Sequence, residues 1–231
     1  MKTINKFITE KLRLTKNKVQ EYNYHPKTRD ELKTLIDKLI EERGINADLN
    51  DIDTSNITTM FDIFHYNSSR NWKLQKFNGD ISKWNVSNVE NMSWMFYDSE
   101  FNGDISQWDV SNVKIMNRMF KNSKFDEDIS NWDVSNVVYM EYTFNNSKFN
   151  QDISNWDVSN VENMEGMFYK SEFNGDISNW DVSNVENMGY MFLNSKFNRD
   201  ISNWKVDNVE NMSDIFYGCP LQKNPPTWYK E

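Results

Sequence analysis

A 24-residue unit recurs six times in register from Phe77 onward, and this fixed period restricts the possible folds more than any other property of the chain. The unit reads F-N-x-D-I-S-x-W-D-V-S-N-V-x-x-M-x-x-M-F-x-x-S-x, with copies opening at Phe77, Phe101, Phe125, Phe149, Phe173 and Phe197. Trp84, Trp108, Trp132, Trp156, Trp180 and Trp204 form one rung of it. Such self-similarity predicts stacked coils, because one unit cannot enclose a core alone and must bury its face on its neighbours. Function is then expected along a surface and not in a single pocket.

A seventh, degenerate copy lies upstream. Ile45-Asn46-Ala47-Asp48-Leu49 aligns with Phe101-Asn102-Gly103-Asp104-Ile105, and Ile52, Ile57, Met60, Ile63 and Phe64 then fall on the Trp, second Val, two Met and Phe rungs. An insertion near residues 66–76 separates this copy from Phe77. Downstream, Ile215 replaces a Met, and Gly218-Cys219-Pro220 and Pro225-Pro226 read as a stop. The predicted organisation is a cap or docking segment over 1–44, seven coils over 45–219 and a tail over 220–231.

Composition alone points the other way. A mean hydropathy of −0.82 and a net charge of −9 lean toward disorder. Two facts outweigh this: 15% of residues are aromatic, and the apolar residues are locked to the period. Every Met except Met1 sits on a Met rung. A folded protein is expected.

The two halves of the unit differ in spacing. D-I-S-x-W-D-V suits a short, bent extended segment with Ser and Asp outward. In N-V-x-x-M-x-x-M-F the spacing of three and four places Val113, Met116, Met119 and Phe120 on one side of a short helix or 3-10 turn, with Ser111-Asn112 as N-cap residues. The predicted fold class is therefore an α/β repeat: a leucine-rich-repeat-like solenoid of about seven coils behind a small, mainly helical N-terminal cap. Within that cap, Ile4, Phe7, Ile8 and Leu12 make a weak amphipathic helix and residues 19–24 a strand. Thr28 to Glu31 forms a capping box, Leu32, Leu35, Ile36, Leu39 and Ile40 share one helical face, and Gly44 ends it. This segment either covers the first coil or attaches the chain to a larger assembly; the sequence leaves both readings open.

Several function classes are excluded. An active site occurs once whereas a ladder occurs in every coil, so the repeated Ser–Asp pattern reads as turn bonding and no enzyme is expected. Calcium on a ladder through Asp104, Asp128, Asp152 and Asp176 is the competing reading, since stacked carboxylates repel unless bonded or bridged by a cation. His25 and His65 lack metal or triad partners at useful spacing, and no nucleotide fingerprint is present, so no cofactor is expected. The acidic balance disfavours nucleic acid; the basic start at Lys2, Lys6, Lys11, Arg13, Lys16 and Lys18 reads as a solvated helix face. No membrane insertion is expected, and the lone Cys219 cannot form an internal disulfide.

The repeats disagree at two positions. One rung, between the two Met positions, runs Trp94, Arg118, Tyr142, Gly166, Tyr190, Asp214; another, after the Phe, runs Tyr97, Lys121, Asn145, Tyr169, Leu193, Tyr217. Aromatics and Arg dominate binding hot spots, so Trp94, Tyr97, Arg118, Tyr142, Tyr169, Tyr190 and Tyr217 are the candidate binding residues for a protein or glycan ligand. The competing readings are that these rings only cover seams between coils, or that recognition uses the opposite rung Lys83, Gln107, Asn131, Asn155, Asn179 and Asn203. The acidic net charge favours neutral or basic partners.

The unit D-I-S-x-W-D-V-S-N-V-x-x-M-x-x-M-F resembles the repeat of the BspA-like leucine-rich-repeat surface proteins of the DUF285 type, found in mycoplasma, gut bacteria and their phages. The resemblance covers about Ile45 to Phe216. It implies an extracellular or virion-surface binding solenoid without catalytic residues, used in adhesion or host interaction, or alternatively a virion component docked through 1–44. No signal or anchor is read in this sequence, so a cytoplasmic or virion-associated location is expected over Sec-dependent secretion.

Overall fold

The computed structural model of the chain describes residues 22–65, 70 and 72–230. The segment around Ile4, Phe7, Ile8 and Leu12, the basic start and part of the insertion lie outside the described residues.

The chain winds so that equivalent residues of successive units lie side by side. Parallel bridges join Thr59 to Asn91, Asn91 to Ile115, Ile115 to Tyr139, and onward through Asn163 and Asn187 to Asn211. Each is an isolated pair, so no extended strand forms among the described residues of the repeats. The half expected to be a short helix or 3-10 turn holds tight turns and no helix. The N–H of Met119 bonds to the Met116 carbonyl at 3.1 Å and that of Ser123 to Phe120 at 3.1 Å, which makes two successive tight turns. The third residue of each turn has positive φ, +57° at both Arg118 and Asn122, and this stops helical propagation. The intervening donors leave the coil: Met116, Arg118, Phe120 and Asn122 bond to Tyr139, Glu141, Thr143 and Asn145 of the next coil at 2.8–3.0 Å. A helix would satisfy these N–H groups internally; here the neighbouring coil does so, and stacking replaces helix formation. Ser111 and Asn112 accordingly do not cap a helix. Asn112 Nδ2 donates to the Ser87 carbonyl of the preceding coil at 2.7 Å, and the same bond recurs at Asn136, Asn160, Asn184 and Asn208.

The core sits inside the coils and follows the rungs. Trp132 is 4% exposed, and its indole N–H donates to the Ile105 carbonyl of the coil before at 3.1 Å. The buried ring thereby satisfies its one polar atom. Two Phe rungs interleave: Phe120 and Phe125 stack at 4.3 Å, and Phe125 stacks on Phe149 at 6.2 Å. The Asn rung of the F-N corner forms its own ladder, in which Asn102 Oδ1 accepts the Asp126 N–H at 2.7 Å.

The two ends are closed differently. At the start, helix α1 (Arg29–Arg43) buries Leu32, Ile36, Leu39 and Ile40 completely. Thr28 accepts the Glu31 N–H at 3.2 Å, while Glu31 reaches the N–H of Lys27 instead of Thr28, so the capping box is offset by one residue. Tyr24 bridges Ile52 and extends the stack by one pairing. The carbonyls of the first coil, with no coil before them, are taken by arginines: Arg29 binds Phe61, and Arg70 binds Asp62, Ile63 and His65. At the far end the chain does not stop where the prolines suggest. Trp228, in the expected C-terminal tail, stacks on Trp204 at 6.3 Å and donates to the Ile201 carbonyl at 2.9 Å, which continues the Trp rung by one position. Beside it, no acceptor among the described residues faces the N–H groups of Met212, Asp214 and Phe216.

Candidate binding face

The variable rung between the Met positions coincides with the positive-φ position of the turn. Trp94, Arg118, Tyr142, Tyr190 and Asp214 all adopt φ between +51° and +62°, and Gly166 takes +57°. Bulky residues rarely occupy this region, and such strain persists only where packing over-determines it. Here the packing is a column of alternating rings and cations. The Arg118 guanidinium lies 5.1 Å from the Trp94 ring on one side and 5.1 Å from the Tyr142 ring on the other. Lys121 Nζ lies 5.8 Å from the Tyr97 ring and 5.3 Å from that of Tyr142. Trp94 and Tyr97 are 4.9 Å apart.

Four of the seven candidate residues, Trp94, Tyr97, Arg118 and Tyr142, are thus joined on one face within three coils. They are half-buried, not fully outward as their spacing on a helix would place them. Tyr142 is tied to the next coil: its hydroxyl donates to Glu165, and its ring lies over Gly166, where an added Cβ would meet it at 2.3 Å. Burial and that carboxylate push its pKa to about 12. Tyr169 has Lys170 over its ring at 5.2 Å, and Tyr190 lies next along the rung, half-buried. Tyr217 stands apart on the last regular coil, 59% exposed. The opposite rung, Lys83 through Asn203, is exposed throughout.

Sequence reasoning missed three participants. His65, read as solitary, packs edge-on against Tyr97 at 4.8 Å and near Trp94 at 5.6 Å. Burial lowers its pKa, so it serves as a neutral ring. Its rung position in the degenerate first coil, one past the Phe, was the available signal. Lys121 stood on the variable rung but was not singled out. Glu141 is the third: its Oε1 accepts from Asn163 at 3.1 Å, while the buried Oε2 has no partner among the described residues. Burial raises its pKa.

The aspartate ladder has the bonding expected of turns. Asp104, Asp128, Asp152 and Asp176 each accept the N–H of the serine two residues on, at 2.9 to 3.0 Å. These bonds hold the carboxyls of Asp128, Asp152 and Asp176 below their ordinary value. Among the described residues no three His, Cys, Asp or Glu side chains converge in a metal-binding group. No described helix is long and apolar enough to cross a membrane.

A family described as "Mycoplasma protein of unknown function, DUF285" matches the chain over residues 31–148, 99–172 and 145–228. No curated protein and no solved structure matches it.

Proposed function

The chain belongs to the DUF285 family, a family of unknown function, and from that premise we propose that it is a non-enzymatic recognition scaffold. In this reading the stack is a leucine-rich-repeat-like solenoid whose variable rungs bind a protein or glycan, in adhesion or host interaction. The observation that carries the reading is the assembly of His65, Trp94, Tyr97, Arg118 and Tyr142 into one half-exposed column. Core rungs keep nearly one residue type, with Thr143 and Ile215 as departures on a Met rung, because every coil must present the same shape to its neighbours. The positive-φ rung is free of that demand, yet it carries large rings where Asn, Asp or Gly would fit with less strain. Rings held rigid in advance lose little freedom on binding, which favours recognition.

A virion component docked through 1–44 is the competing assignment. The apolar face of α1 is spent on the first coil, which favours the capping role for 29–43 over docking.

The test is to immobilise the full chain and screen neutral and acidic glycans together with peptides. Binding should be lost when Trp94, Tyr97 and Tyr169 are changed to Ser, with the melting temperature still cooperative. Binding that survives these changes but disappears when Lys83, Gln107 and Asn131 are changed to Ala would move recognition to the opposite rung and sink the reading.

A further inference from the structure

Seven lysines and arginines of the described chain are half-buried: Arg29, Lys33, Arg70, Lys73, Lys76, Arg118 and Lys121. Five of them are ion-paired. Arg29 and Lys33 share Asp62, Arg70 holds Asp37, Lys73 meets Glu41 and Lys76 meets Glu100. The remaining two, Arg118 and Lys121, make no ion pair and no side-chain hydrogen bond among the described residues; Arg118 acts on the half-buried Glu141 carboxyl only through its charge, and the two cations stand next to each other. Partial removal of a charge from water is unfavourable unless a counter-charge or acceptor replaces the water. The rings of Trp94, Tyr97 and Tyr142 compensate in part through their negative faces. They supply no acceptor for the five N–H groups of a guanidinium or the three of an ammonium. Burial and the charge of Arg118 both lower the pKa of Lys121, as expected for a cation lacking its counter-ion.

We propose that Arg118 and Lys121, framed by Trp94, Tyr97 and Tyr142, form an anion-binding site for the carboxylate of an acidic sugar. The planar guanidinium fork matches a carboxylate in two parallel hydrogen bonds, and the lysine adds a point charge beside it. A ligand with one charge and many hydroxyls fits this protein better than an acidic peptide. With a net charge of −9 on the whole chain, each further negative charge on the ligand adds repulsion, and only the local cation pair opposes it. The expectation of neutral or basic partners, drawn from net charge, is thereby reversed at this one place. The proposal rests on the recognition-face reading and deepens it.

The experiment titrates the full chain with D-glucuronate, and in parallel with D-glucose, a tetraglutamate peptide and inorganic phosphate. Side-chain NMR signals of Arg118 and Lys121 are followed together with the indole of Trp94. Glucuronate should shift these signals saturably while glucose does not. Arg118→Gln and Lys121→Gln, each checked by thermal melt, should each weaken glucuronate binding by about tenfold or more. Raising the salt concentration should weaken it further. Tighter binding of tetraglutamate or phosphate, equal binding of glucose, or no shift up to about 10 mM glucuronate would overturn the anionic-sugar assignment. A neutral glycan that binds wild type and Arg118→Gln alike, but not the Trp94, Tyr97 and Tyr169 triple variant, would overturn this site and leave the recognition face standing.

Discussion

The indole N–H of Trp228 donates to the Ile201 carbonyl at 2.9 Å, the bond that Trp204 makes to Ile177 at 3.0 Å one coil earlier. The same side chain therefore performs one role in a coil that is covered on both sides and in one that is not. Trp132→Ala, in the covered setting, should cost about 3–5 kcal/mol, the range for deleting a buried aromatic. Trp228, only half-buried, should cost less, about 1–2 kcal/mol, because less apolar area returns to water. Urea denaturation of the two variants measures this. Equal losses would mean that the tail is as integral as the central coils.

Gly166 has φ of +57° and lies beneath the Tyr142 ring. Gly166→Ala should destabilise by about 1–3 kcal/mol, from left-handed backbone strain together with the steric clash. A double-mutant cycle with Tyr142→Ala separates the two parts: removing the ring should recover the steric portion and leave the strain. Strict additivity would show that the ring moves aside without cost.

Glu141 gives a pH dependence of definite sign. Its folded pKa is raised above the ordinary 4.5, chiefly by burial, so ionisation is less favourable in the folded state than in the unfolded one. The wild-type chain should therefore lose the corresponding stability as pH rises from 4.5 through the folded pKa, and regain it on acidification. Glu141→Gln removes the charge and keeps an acceptor for Asn163. It should melt higher than wild type near neutral pH, with the difference closing below pH 4.5. A gap that does not change with pH contradicts this account.

Cys219 is 5% exposed, and burial raises the pKa of its thiol. Both effects suppress the thiolate, so the folded chain should react slowly with a thiol reagent at neutral pH. Reaction should speed up in Trp228→Ala, whose lost ring loosens the last coil. An unchanged rate in that variant would place Cys219 under the control of the central stack.

The core was legible in the sequence because each rung keeps nearly one residue type in one environment; Thr143, buried on the second Met rung, is an exception that donates its hydroxyl to the Met140 carbonyl at 2.8 Å. Phe, Ile, Trp, Val and Met are buried at the positions that the period assigns through the interior coils. For the second half of the unit, the choice between a short helix and tight turns was not legible. A spacing of three between Met116 and Met119 is produced equally by a helix and by one tight turn, and only the bonding to the next coil distinguishes them. Trp228 lies 24 residues beyond Trp204, in step with the period, but Pro225-Pro226 between them reads locally as a breaker. Those prolines interrupt no stacking bond of the Trp rung. The capping of the Phe61 carbonyl by Arg29 left no local trace, since the two are 32 residues apart in the chain. At the candidate binding face, the rung of variable aromatics was visible, whereas the lack of an ion pair at both Arg118 and Lys121 is a three-dimensional fact.

The coil-to-coil bonds run in the direction in which the coils succeed one another, from Met60 through to Ile215. A tension applied between residues 22 and 230 would thus load the coils in series, like links, and not in shear across parallel strands. Such an array yields at its weakest link and then extends in steps. Each step frees 24 residues, about 80 Å of extended chain. A protein built this way would behave under load as an extensible tether that lengthens by a fixed increment while the coils not yet opened keep their surface intact.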